Sequence, residues 1–214
     1  MNNVRVEMNT NLSRWHNEEY NGMPVLTGNG PCITEYLHKT HQVINTHLAY
    51  HNRVFAIRLD LRFPSFVNTE CYSSDVINRF ICSLRAKLKH AYQSALRQGR
   101  RVHEPGLRYL WARELGQDGH PHYHLLLLLN RDAYFTLGDM RSSEGTLYSK
   151  LNSAWATALG IEEFDTRGLV NVAGTFHWKS GEDIGPLFQA ASYMCKEHSK
   201  EFGIRQHAFG SSRG

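Results

Sequence analysis

The sequence predicts an α+β fold with a ferredoxin-like core, βαββαβ, built on an antiparallel sheet. Three observations point there. Two strand-like runs, Leu107 to Glu114 and His122 to Asn130, are joined by a short connection containing Asp118-Gly119, a hairpin cue. A long helical pattern precedes this pair, and a second follows it. Further strand-like runs lie at each end, near residues 54–63 and 169–173.

Taken in order, residues 1 to about 30 are polar and rich in Asn and Gly, with breaks at Gly22-Met23-Pro24 and Gly28-Asn29-Gly30-Pro31, and read as a loosely ordered arm. Residues 32–51 carry Ile33, Leu37, Val43, Ile44 and Leu48 near one helical stripe. Val54 to Phe63 alternates at its end and stops at Pro64, as a strand would. Ser73-Ser74-Asp75 offers an N-cap to a helix reaching about Gly99, whose apolar side is Val76, Phe80, Leu84, Leu88, Tyr92 and Leu96. The hairpin follows, then a helix from Gly145 to Leu159 that ends at Gly160, and a short strand from Leu169 to Ala173. A final helix is expected from Ile184 to Glu201, packed onto the core as an addition. The implied division is an arm and helix at 1–50, a main domain at 51–205 and a tail at 206–214.

Composition narrows the function classes. The 214 residues are 41% hydrophobic, enough to bury a core, and the net charge of +4 permits an acidic partner without demanding one. Between Val76 and His103 there is no acidic residue, while Arg85, Lys87 and Lys89 stand among seven cations. Such a helix is either a solvated face or a phosphate contact. The four cysteines show no CxxC spacing, which disfavours a zinc ribbon or a thioredoxin site. The N-terminus lacks an apolar signal segment and the longest apolar run is Leu125 to Leu129. The expectation is a cytoplasmic protein with free thiols and no membrane partner.

The chemistry concentrates in Arg113-Glu114-Leu115-Gly116-Gln117-Asp118-Gly119-His120-Pro121-His122-Tyr123-His124. Alternation along a strand puts His122 and His124 on one face and Tyr123, Leu125, Leu127 and Leu129 on the other. Two imidazoles so placed form either a surface pair or part of a divalent-metal site. The hairpin brings Glu114 beside them as a third ligand, with His120, of the same parity, as the alternative. Two His and one carboxylate leave positions open for water and a phosphate oxygen. Downstream, Tyr193, Lys196, Glu197 and Lys200 have the i, i+3, i+4, i+7 spacing of one helical face. A tyrosine on such a cationic face is either structural or a nucleophile. Arg58, Asp60 and Arg62 alternate on one face of the first strand, so Asp60 is either solvent-facing or supports a histidine ligand from behind. Trp111 and Trp178 are either core residues or stacking surfaces for bases.

The first strand, the His122-Tyr123-His124 motif and the later Tyr193-x-x-Lys196, in this order, resemble the three motifs of the HUH endonuclease superfamily. The stretch YLWARELGQDGHPHYHLLLLLN is also similar to filamentous-phage (inovirus) replication initiators and to the YagK/YfjJ C-terminal domain family. The resemblance covers roughly residues 50–205. It implies a Mg or Mn ion held by His122, His124 and Glu114, and nicking of single-stranded DNA or a DNA hairpin by Tyr193. The product would be a 5′-phosphotyrosine and a free 3′-OH, as in rolling-circle initiation. Lys196 and Lys200 would contact the phosphate. Glu197 stands where two-tyrosine initiators carry a second tyrosine, and is expected to activate water or a 3′-OH. No GxxxxGK[ST] motif is present, so unwinding falls to a host helicase. The competing readings are a non-catalytic prophage DNA binder, a single-tyrosine HUH transposase and a small zinc protein.

Overall fold

The computed structural model describes residues 4–66, 75–116, 119–142, 144–202 and 206–213. The expected caps Ser73 and Ser74 and the turn residues Gln117 and Asp118 lie outside them. Five short strands open the chain: β1 (Arg5–Val6), β2 (Asn9–Trp15), β3 (Glu19–Tyr20), β4 (Met23–Pro24) and β5 (Cys32–Ile33). They precede α1 (Thr34–Tyr50), β6 (Arg53–Arg62), α2 (Asp75–Arg97), β7 (Arg108–Leu115) and β8 (Pro121–Asn130). Then come α3 (Leu147–Leu159), β9 (Val170–Lys179), α4 (Gly185–Ser192) and β10 (Phe209–Ser211). The protein is α+β.

The main sheet has five strands in the order β10-β7-β8-β6-β9, and every neighbouring pair is antiparallel. Its inner order, β7-β8-β6-β9, is second, third, first, fourth among the strands of the βαββαβ unit, the ferredoxin-like arrangement. The pleat sends alternate side chains to opposite faces. One face carries Phe55, Ile57, Leu59, Leu61, Tyr123, Leu125, Leu127 and Leu129 against α2 and α3. The other carries Val54, Ala56, Leu110, Ala112, Leu126 and Leu128 against α1 and α4. Because both faces are covered, Leu125 to Leu129 are all fully buried. Each such leucine stabilises the fold by about 1.5–3 kcal/mol relative to exposure.

The helix α3 ends where its sequence says. Thr146 caps α3 by accepting from the Ser149 N–H at 3.0 Å, and Gly160 closes it at φ 70. In α2, Val76, Phe80, Leu84 and Leu88 are buried, but Leu96 is exposed and Ala95 takes its inward place. The helical repeat drifts against a strict four-residue step, so the last turn rotates off the stripe.

Three expectations need correction. Residues 1–30 are not a loose arm among the described residues: β1 and β2 join β5, β3 pairs with β4, and Tyr20, Met23 and Val25 bury against Phe188 and Ala191. The Asn21-Gly22 turn joins β3 to β4 there. Residues 206–214 were expected as a tail, yet Phe209–Ser211 pair with Leu110–Ala112 as an edge strand. Gly210 allows this, since a Cβ there would meet the Trp111 indole at 2.4 Å. The last helix does not reach Glu201. It stops at Ser192, passes through a 3₁₀ turn at Tyr193–Cys195, and Lys196 takes ψ 142. The segment before α1 claims the next backbone groups: Lys196 bridges Cys32, and the Glu197 N–H donates to the Pro31 carbonyl at 2.9 Å. No helix among the described residues is long and apolar enough to cross a membrane.

Candidate metal and tyrosine site

The face of the sheet that α1 and α4 cover runs past them at one end, where its residues turn polar. There β6 presents Arg58 and Asp60, β7 presents Glu114, and β8 presents His122 and His124. Register places them side by side: Glu114 pairs with His122, and Asp60 with His124. The His122 and His124 Nε2 atoms lie 3.1 Å apart, and His124 Nε2 is 3.4 Å from Glu114 Oε2. The ligand atoms of Glu114, His122 and His124 all fall within 4.8 Å of one another.

Asp60 holds one histidine from behind. Its Oδ1 lies 2.5 Å from His124 Nδ1, which directs His124 Nε2 at the common point. Arg58 donates to the same Asp60 oxygen at 3.0 Å. Burial would raise the Asp60 carboxyl, but hydrogen bonding from His124 and the Arg58 charge hold it below its usual value. Burial lowers the His122 imidazole, reinforced by His124, which favours a neutral ring with a free lone pair.

Glu114 is almost fully buried, with both oxygens engaged. Lys200 donates to Oε1 at 3.0 Å; Lys196, at 3.0 Å, and the Ser199 hydroxyl, at 2.7 Å, donate to Oε2. Burial alone would raise this carboxyl, but His124 and the Lys200 charge hold it far below the carboxylate range.

The donor set fits a divalent ion. With ligand bonds of about 2.1 Å, neighbouring donors lie about 3.0–3.4 Å apart across octahedral or tetrahedral angles. Two of the three donor separations, 3.1 and 3.4 Å, match that spacing. Glu114 Oε1 keeps a lone pair beyond its Lys200 contact, whereas Oε2 already accepts from both Lys196 and Ser199, so an ion bound through Oε2 would displace one of these two donors.

Tyr193 sits directly on this triad. Its ring meets the His124 ring edge-to-face at 5.1 Å. Lys196 Nζ lies 3.8 Å and the Arg58 guanidinium 4.7 Å from the tyrosine ring centre. The ring is half-buried, so it remains reachable from solvent.

Of the residues singled out from sequence, Glu114, His122, His124, Asp60, Tyr193 and Lys196 come together. Between Glu114 and His120 as third ligand the geometry selects Glu114; His120 is exposed in the turn before β8. Three placements differ from expectation. Lys196 and Lys200 reach Glu114 from a loop, not from a shared helical face. Lys200 is no phosphate contact, since its side chain is fully buried on Glu114. Glu197 turns away and binds Arg14 of β2 in a two-pronged pair at 2.6 and 2.7 Å. Arg85, Lys87 and Lys89 lie on the expected helix, α2, across the sheet from the triad. Trp111 packs on Tyr123 in the core, and the Trp178 Nε1–H donates to the Glu182 carbonyl. Arg58 was placed on the Asp60 face without a role, and Ser199 and Arg14 were missed. Only Arg58 left a signal, its parity with Asp60.

A family model, the YagK/YfjJ C-terminal domain, matches residues 15–212. The chain belongs to that family. Two YagK/YfjJ relatives from Escherichia coli strain K12 are named Uncharacterized protein YagK and Uncharacterized protein YfjJ. YagK is 32% identical over 198 residues, covering 86% of this chain and 95% of the relative. YfjJ is 32% identical over 203 residues, covering 86% and 97%. No solved structure matches this YagK/YfjJ chain. The matched span takes in β6 to β9 and β10, so the whole triad and Tyr193 lie inside the YagK/YfjJ domain.

Proposed function

We propose that this chain is an HUH-type enzyme that nicks and rejoins single-stranded DNA through Tyr193, working in the cytoplasm on a phage or prophage origin. The observation that carries the reading is the Tyr193 ring seated 5.1 Å from His124, over donors spaced for a divalent ion. His122, His124 and Glu114 would hold Mg or Mn, which when bound polarises the scissile phosphate. Tyr193 Oη bonds to phosphorus and its proton passes to solvent. The P–O3′ bond breaks, the 3′ oxygen takes up a proton, and the 5′ phosphate stays on tyrosine. Lys196 and Arg58 flank the ring and offset the charge that builds on the phosphoryl oxygens. The tyrosyl ester keeps the bond energy, so a 3′-OH can reverse the step and no nucleotide is consumed. The partners are single-stranded DNA or a hairpin, with a host helicase to open the duplex.

The test is covalent capture. Protein, labelled single-stranded DNA and Mn²⁺ are run on a denaturing gel. The expected result is a labelled, retarded band that Tyr193→Phe and His122→Ala both lose. Its absence over a broad pool, including DNA from the protein's own locus, would reject the enzyme.

One observation favours a second reading, a DNA binder without chemistry. Lys196 and Lys200 already balance the Glu114 charge, one ammonium on each oxygen, so the carboxylate needs no ion to be stable in its buried place. Titration with Mn²⁺ followed by calorimetry separates the two: a binder takes up no ion at the triad.

A further inference from the structure

The far end of the sheet holds a second concavity. It measures about 700 Å³ and is lined by Arg85, Lys89 and Tyr92 of α2, Tyr50 at the end of α1, Arg108 at the start of β7, and Arg213 after β10. Four cations face one carboxylate, Glu104. None of the four makes an ion pair among the described residues, and Tyr50 is 74% exposed. Arg108 lies 5.7 Å over the Tyr50 ring and Arg85 5.4 Å over that of Tyr109. The floor is tight: Gly106, at φ 62, lets the backbone close on His51, where a Cβ would come within 2.4 Å of the imidazole. Arg108 and Glu114 are six residue steps apart along β7, so the cleft lies about 20 Å from the triad.

Cations without an ion pair beside the exposed Tyr50 ring and the half-buried Tyr92, on a preformed floor, are the chemistry that binds single-stranded nucleic acid: charge for phosphates, rings for bases. We propose that this cleft is a single-stranded DNA-binding site, separate from the triad, that grips the strand at a distance from the point of cleavage. It rests on the nucleic-acid part of the reading above and needs none of its chemistry. Lys87 supplies an internal contrast. It stands on the same basic helix but lines a different depression with Glu144 and Glu163.

The experiment measures binding of a labelled oligothymidylate to the full chain in EDTA, over a range of salt. Melting curves first confirm that each surface variant is folded. Arg85→Ala with Lys89→Ala should weaken binding at least ten-fold and flatten the log–log salt slope by about 1.4, two single-strand phosphate contacts. Tyr50→Ala should weaken it about five-fold or more with the slope unchanged. Lys87→Ala should bind as wild type. Equal losses from Lys87→Ala would overturn the cleft in favour of diffuse helix charge. Wild-type binding by the cleft variants would overturn it outright. No effect of Tyr50→Ala, with inorganic polyphosphate competing as well as DNA, would make it a polyanion site and overturn the nucleic-acid assignment. This assay reads binding in EDTA and the capture assay reads a covalent adduct with Mn²⁺, so a failed capture assay leaves the cleft standing, and failed cleft variants leave the chemistry at the triad untouched.

Discussion

Glu114 sits between two ammonium groups and a pair of imidazoles, with its side chain 2% exposed. Glu114→Gln would keep the shape but leave Lys196 and the fully buried Lys200 facing a neutral amide. Breaking a buried pair in this way costs about 3–5 kcal/mol. Urea melts should show that loss, and adding Lys200→Met should recover part of it. His47 poses the opposite case. It is fully buried in α1, neither ring nitrogen makes a well-formed hydrogen bond, and burial, aided by the neighbouring His51, pushes it down to about 3. A contact at the Leu129 backbone tempers this only slightly. Its folded value is depressed below the ordinary 6.5. Between those values the unfolded chain binds a proton that the folded chain refuses, so stability falls as pH drops from about 6.5 toward 3. His47→Leu should flatten that part of the stability curve; an unchanged slope in urea melts at several pH values would reject the assignment. Strand parity made the His122, His124, Asp60 and Glu114 cluster legible in the sequence. Nothing local marked Lys200 as buried, because its partner is 86 residues away.

At the scale of elements, the last helix shows where periodicity misleads. Tyr193, Lys196, Glu197 and Lys200 have helical spacing, yet the chain leaves the helix at Lys196 because the Pro31–Cys32 segment captures its backbone. Spacing alone reports what a helix would do, not whether tertiary hydrogen bonds outbid it. The same contact sends Glu197 to Arg14, so the first strands are tied to the segment carrying the tyrosine. Glu197→Ala should therefore leave the covalent adduct intact while exposing residues 4–30 to faster limited proteolysis. Loss of the adduct with unchanged proteolysis would instead return Glu197 to the chemistry. The strand at Val170–Lys179 is twice the expected length. Its second half alternates half-buried Phe176 and Trp178 with exposed Thr175, His177 and Lys179, a weak signal that the break at Gly174 obscured.

For the whole molecule, the βαββαβ order was legible because strand and helix periods differ and each run is bounded by Gly, Pro or a cap. The strands at both termini were not: all but β2 are two or three residues long and carry no period, and β2 and β10 are held by β5 and β7, which lie well away along the chain. The basic helix was legible as charge but not as place: only the fold shows that Arg85 and Lys89 turn toward one end of the sheet and Lys87 toward another depression. The five consecutive leucines of β8 have a further consequence. An uninterrupted apolar run looks the same after a slip of one residue, so hydrophobicity cannot tell the strand which side chain faces which helix layer. What tells it is the polar end. Slipping by one would drive His122 and His124 into the layer of Phe80 and Trp155 and strand Asp60 without its imidazole. The residues assigned to chemistry thus also serve as the sheet's spelling check, and a variant with that corner made apolar would lose the signal that distinguishes one alignment of the central strand from the next.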